Sequence, residues 1–146
     1  MTDQINSVLL VDDDAVTNIM HKRIIERSGR ARSVLVATDG EAALDIIEQH
    51  VAEGAALPEL ILLDINMPRM GGFEFLEQYA ARGMGDSGPM IIVMLSTSLL
   101  QSDHDRAEAD PNVHCFSNKL IRSELFMDLV DESLARQSPQ PVASRA

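Results

Sequence analysis

The chain has 146 residues, 45% of them hydrophobic, which fits one domain of ordinary size with a real core. A formal net charge of −11 and an aromatic content of 3% argue against direct nucleic-acid binding, which draws on clustered Lys and Arg and on base-stacking rings. No apolar run approaches the roughly 20 residues that span a bilayer, and Met1-Thr2-Asp3-Gln4 lacks the basic, apolar start of a signal peptide. A cytoplasmic location without membrane association is expected. The single cysteine, Cys115, suits a reducing compartment and reads as a small buried hydrophobe.

Five short apolar runs punctuate the chain: Ser7–Val11, Ser33–Ala37, Leu60–Leu63, Met90–Leu95 and Val113–Phe116. Runs of this length suit strands of a parallel sheet covered on both faces. Between them lie helical patterns. Val16, Ile19, Met20 and Ile24 form the first apolar stripe, with Gly29 placed to end that helix. Ala43, Ile47 and Val51 form the second, starting near Asp39-Gly40-Glu41. Phe73, Leu76 and Ala80 form the third, after Gly71-Gly72. Leu99–Asp110 is polar and weakly periodic, and is assigned a helix all the same. Leu125, Leu129 and Val130 share a face of the last helix, with Ser123 as its expected N-cap. Two connections look long and mobile, Ala52–Pro58 and the glycine-rich Arg82–Pro89. Residues 1–137 are expected to form the domain and the proline-containing 138–146 a disordered tail.

Five strand–helix alternations predict an α/β domain with right-handed crossovers; the arrangement expected within that class is flavodoxin-like, a doubly wound, five-stranded parallel sheet of order 2-1-3-4-5 with five helices. That order makes the first and third strands neighbours. Asp12 and Asp13, which follow the first, would then meet Asp64, which ends the third, at the switch point where such sheets bind ligands. Like charges about 4 Å apart cost on the order of 4 kcal/mol at an effective dielectric near 20, so a pKa must rise or a cation must be recruited. Hard oxygen ligands suit Mg²⁺. Asp14 reads as a helix-start residue. Ser96 ends the fourth strand with a hydroxyl. Lys119 follows the fifth and is one of only two lysines in the chain.

Val8-Leu9-Leu10-Val11-Asp12-Asp13-Asp14, Leu62-Leu63-Asp64-Ile65-Asn66-Met67-Pro68-Arg69-Met70-Gly71-Gly72, Met94-Leu95-Ser96-Thr97 and Phe116-Ser117-Asn118-Lys119 together resemble the response-regulator receiver family of two-component signalling. The match runs in order from about Ser7 to Arg136. The resemblance implies that Asp64 accepts a phosphoryl group from a sensor histidine kinase or phosphotransfer protein. It further implies Mg²⁺ held by Asp13, Asp64 and the backbone carbonyl of Asn66, with Asp12 acting through water. Ser96 takes the switch-hydroxyl position, Lys119 the lysine position and Phe116 the switch-aromatic position; Asn66, Thr97 and Ser98 match modulating positions. Output to a downstream protein target is expected through the fourth helix, fifth strand and fifth helix.

Two departures stand out. Phe116 lies where tyrosine is common, and Leu120 follows Lys119 where the family usually has a proline, often after a cis bond. A cis bond costs roughly 2.5–4 kcal/mol without proline, so a trans Lys119–Leu120 bond is expected, with the lysine still reaching the carboxylates. Two other readings remain. A degenerate receiver would bind partners without phosphorylation, but all five key positions are filled. A phosphatase of the haloacid dehalogenase type would want an aspartate where Asn66 stands.

Overall fold

A computed structural model describes residues 4–84, 91–97 and 100–137. Expectations for Met90, Ser98, Leu99, most of the Arg82–Pro89 connection and the 138–146 tail lie outside those residues. In chain order the elements are β1 (Ile5–Val11), α1 (Ala15–Ser28), β2 (Ala31–Ala37), α2 (Gly40–Glu53), β3 (Leu60–Asp64), α3 (Gly72–Ala81), β4 (Ile91–Ser96), α4 (Gln101–Ala109), β5 (Val113–Asn118) and α5 (Ser123–Gln137). The strands pair in parallel in the order β2-β1-β3-β4-β5.

Strand side chains alternate between faces, and each face has its own core. Leu9, Val11, Ile61, Leu63, Ile92 and Met94 pack with Leu44 and Ile47 of α2 and with Phe75, Leu76 and Tyr79 of α3. Val8, Leu10, Leu60, Leu62, Val93 and Leu95 pack with Ile25 of α1 and with Phe126, Leu129 and Val130 of α5. The continuous apolar runs of β1, β3 and β4 are therefore explained by two covered faces. The edge strands β2 and β5 are less covered, and Val36 is exposed.

The helix stripes fare unevenly. Ala43, Ile47, Phe73, Leu76, Leu129 and Val130 are buried as expected, while Val51 and Ala80 are exposed. The stripe on α1 is inverted. Val16, Ile19 and Met20 are 64%, 53% and 43% exposed, and the buried face carries Thr17, Asn18, His21 and Ile25. The Ser123 cap is also displaced by one residue, because Ser123 is already helical and the Phe126 N–H bonds the Arg122 carbonyl.

Strand register sets the level of the sheet's C-terminal edge. Val11 pairs with Leu63, so Asp12 and Asp64 emerge side by side, while Asp64 pairs with Leu95 and Ser96 with Asn118. A bulge at His114 of β5 breaks the alternation there. Val113 and Phe116 thereby join the α2–α4 core, while Cys115 is half-buried against the α1–α5 core.

Gly71-Gly72 brings α3 against the strand end that carries Asp64. A Cβ on Gly72 would lie 2.5 Å from the Asp64 carbonyl oxygen and 3.0 Å from the Ile65 Cα. Backbone cannot yield as a side-chain tip does. Gly72→Ala is therefore expected to lower stability by about 1–3 kcal/mol, measured by urea unfolding, and to shift the Asp64 resonances in a two-dimensional NMR spectrum.

Candidate functional site

The sheet edge gathers the predicted acidic residues. Asp12 and Asp64 are each only 4% exposed, and Asp13 stands beside them at the solvent edge. Carboxylate oxygens of the three lie within 4.8 Å of one another. Asp12 Oδ1 accepts the Asp14 N–H at 2.9 Å, and Asp64 Oδ1 accepts the Asn66 N–H at 3.4 Å. The remaining oxygens converge on one cation: Lys119 Nζ lies 3.1 Å from Asp12 Oδ2 and 3.3 Å from Asp64 Oδ2.

The electrostatics follow from that geometry. Burial pushes the Asp64 carboxyl up to about 6, and repulsion from Asp12 adds to it, against the opposing pull of Lys119 and the Asn66 amide. For Lys119, burial favours the neutral amine, but the bond to Asp12 and the field of Asp64 outweigh it and hold the ammonium above its ordinary value. Asp14 takes no part in the cluster. It caps α1, accepting from the Val16 and Thr17 amides and the Thr17 hydroxyl, and these bonds lower its pKa.

Three convergent carboxylates with hard oxygen donors fit a small divalent cation, and the raised Asp64 pKa marks negative charge that one lysine does not fully offset. No other kind of group is needed to account for the donor set.

The other predicted residues border this cluster. Ser96 is buried, and its carbonyl accepts the Lys119 N–H at 3.1 Å. Thr97 and Asn66 are exposed. Phe116 sits half-buried one strand away, with the His104 ring of α4 edge-on at 4.9 Å. Ser98 lies outside the described residues. No described peptide bond is cis, so Lys119–Leu120 is trans as expected, and Leu120 takes a positive φ of 22°.

Sequence reasoning missed the supports around the cluster. Asn18 Nδ2 donates to the Asp12 carbonyl at 2.9 Å, and the Ile121 N–H donates to His21 Nε2 at 3.0 Å. Thr17, Asn18 and His21 do share a helical face, a signal eclipsed by the apolar stripe beside it. In the loop after β3, Arg69 adopts φ 63° and its Nε donates to Asp39 at 2.8 Å, while the Gly40 N–H reaches the Met70 carbonyl at 2.9 Å. These bonds tie the Asp64 loop to the start of α2.

A raised carboxyl pKa means that the folded state binds a proton more tightly than the unfolded chain. This group's contribution to stability is complete below about pH 4 and is lost as pH rises through about 6. Asp64→Asn escapes that loss. Without added divalent cation it should melt several degrees above the wild type at pH 7.5, on the order of 1–2 kcal/mol. The gap should close near pH 4, as read by calorimetry across the pH range.

Comparison with known proteins agrees with this arrangement. The family model described as the response regulator receiver domain matches residues 8–126. A solved two-component response regulator from Cytophaga hutchinsonii superposes with a TM-score of 0.83 at 30% identity, covering 90% of this chain and 98% of that one. The probable methanogenesis regulatory protein FilR2 of Methanothrix harundinacea is 33% identical over 122 residues, 84% of this chain and 75% of its own length. A protein-glutamate methylesterase/protein-glutamine glutaminase of Pseudomonas aeruginosa is 42% identical over 72 residues, 49% of this chain but only 19% of that protein. The chain thus spans about a fifth of that longer relative. With its strand order, its acidic edge and its inward lysine, the chain belongs to the response regulator receiver domain family.

Proposed function

We propose that this domain is a phosphorylation-activated switch that accepts a phosphoryl group on Asp64 from a histidine kinase or phosphotransfer protein. The observation that carries the reading is the single buried-edge ammonium of Lys119 within 3.3 Å of both Asp12 and Asp64. An Asp64 oxygen forms a bond to phosphorus as the phosphorus–nitrogen bond of a phosphohistidine breaks, and the imidazole leaves with a proton from solvent. The product is an aspartyl phosphate. In this reading Lys119 offsets the charge on the phosphoryl oxygens, and Ser96, at the end of the adjacent strand, supplies the hydroxyl that meets one of them. Asp13, Asp64, the Asn66 carbonyl and, through water, Asp12 would hold Mg²⁺. When bound, that ion supplies positive charge that lets carboxylate and phosphate approach.

The inward-turned lysine supports phosphate chemistry over a phosphorylation-independent binding module. Output is assigned to α4, β5 and α5. Among the described residues of α4 only Ala107 is buried, so its local stability is expected to be low, as a switching element requires. Phe116 and His104 link that helix to β5.

The exposed row Val16, Ile19 and Met20 begins one turn from Asp13. A protein donor must bring its phosphohistidine to Asp64, and this apolar row is the adjacent surface for it to cover. Both points are testable. Acetyl phosphate with Mg²⁺ should add one phosphoryl mass to the wild type and none to Asp64→Asn; equal labelling of the two removes the assignment. Ile19→Glu should lower transfer from a phosphorylated histidine protein at least tenfold while leaving labelling by acetyl phosphate unchanged.

A further inference from the structure

The turn that delivers Lys119 carries an unusual demand. Its Leu120 adopts φ 22°, a region sparsely allowed to residues other than glycine. Leucine, unlike proline, does not fix its own φ. The conformation must therefore be held from outside. Three contacts hold it: the Lys119 N–H donates to the Ser96 carbonyl at 3.1 Å, the Ile121 side chain is buried against the α1–α5 core, and the buried Ile121 N–H donates to His21 Nε2 at 3.0 Å. Only the third is a hydrogen bond from α1.

His21 itself is 1% exposed. A buried backbone N–H requires an acceptor, and an imidazole that accepts through Nε2 is neutral with its proton on Nδ1. Burial favours that neutral form. One turn earlier on the same face, Asn18 holds the Asp12 carbonyl. Through these two side chains α1 grips both the loop that carries Asp12 and the turn that carries Lys119.

We propose that His21 is a positioning residue for phosphoryl transfer: by accepting the Ile121 N–H it fixes the Lys119–Ile121 turn, and so sets the lysine between Asp12 and Asp64. The proposal rests on the phosphoacceptor reading for its catalytic consequence, but the positioning itself has readouts that need no phosphorylation. It also accounts for the polar inner face of α1, since an apolar residue at position 21 would leave the Ile121 amide without a partner.

The test uses the full chain, with His21→Leu to remove the acceptor and His21→Gln to place an amide oxygen near the Nε2 position. In the wild type, ¹⁵N NMR should show an unprotonated His21 Nε2 with scalar coupling across the hydrogen bond to the Ile121 amide. A protonated Nε2, or one that couples to no amide, overturns the proposal without any variant. The chain's two lysines give two ¹³Cε signals. At pH 7 the Lys119 ¹³Cε signal should move toward that of the exposed Lys22 in His21→Leu, and in His21→Gln it should stay at its wild-type position. Labelling by acetyl phosphate should slow about tenfold at saturating donor in His21→Leu, with Mg²⁺ affinity no weaker than wild type, and should recover at least half its rate in His21→Gln. A Lys119 signal left at its wild-type position in His21→Leu, or lost from it in a His21→Gln variant that folds, overturns it. Should His21→Leu fail to fold, the wild-type coupling and the position of the Lys119 signal in His21→Gln decide. Failure of the wild type to be labelled at all would strike the phosphoacceptor reading, while the coupling and the position of the Lys119 signal still judge the positioning.

Discussion

Two carboxylates buried at one sheet edge, with a single lysine between them, impose the main constraint on this molecule. Asp12 and Asp64 emerge from neighbouring parallel strands in register, so their proximity is a property of the sheet rather than of any loop. Burial and mutual repulsion raise the Asp64 pKa, and Lys119 offsets only part of that cost. The edge is thus held in a state that added positive charge relieves. The nearby structure serves to keep these groups from separating: glycines bring α3 against the Asp64 carbonyl, Arg69 ties the following loop to α2, and α1 grips the loops on the other side.

The role of α1 explains its inverted amphipathicity. A helix on a sheet normally turns its apolar stripe inward. Here the inward positions nearest the sheet edge are Thr17, whose hydroxyl bonds the Asp14 cap, and Asn18 and His21, which partner buried backbone groups of two loops. Ile25, farther from the site, still enters the core between the sheet and α5. Val16, Ile19 and Met20 are left outward, and the same helix presents an apolar surface next to the acidic edge.

The opposite flank is more loosely built. Among the described residues, α4 contributes one buried residue, Ala107, and its other ties include the edge-on contact of His104 with Phe116, the Arg106 guanidinium 4.1 Å from the Phe73 ring centre and the exposed Arg106–Glu77 ion pair. The bulge in β5 turns Phe116 toward α4. A change at Ser96 or Lys119 has a short route to this flank through the Ser96–Asn118 pairing and the Lys119–Ser96 bond.

Strand count and the placing of the aspartates at strand ends were legible in the sequence because each rests on local pattern, while the strand order was expected from the flavodoxin-like arrangement and is the one observed. Apolar runs of four to six residues between helical spacings suit parallel strands covered on both faces, and an aspartate directly after such a run falls at the C-terminal edge. Lys119 was legible as one of only two lysines in an acidic chain, and its trans link to Leu120 from the cost of a non-proline cis bond. Tertiary structure alone decided which face of α1 turns inward, since periodicity locates an apolar stripe but not the orphaned amides of loops distant in sequence. Ile121 and His21 are 100 residues apart, and no local pattern connects them. It also decided the parity of β5, because a bulge shifts side chains from one face to the other without altering the apolar run that marks the strand. Secondary structure follows from neighbours along the chain, whereas the demand for a buried hydrogen-bond partner arises only once the elements are packed.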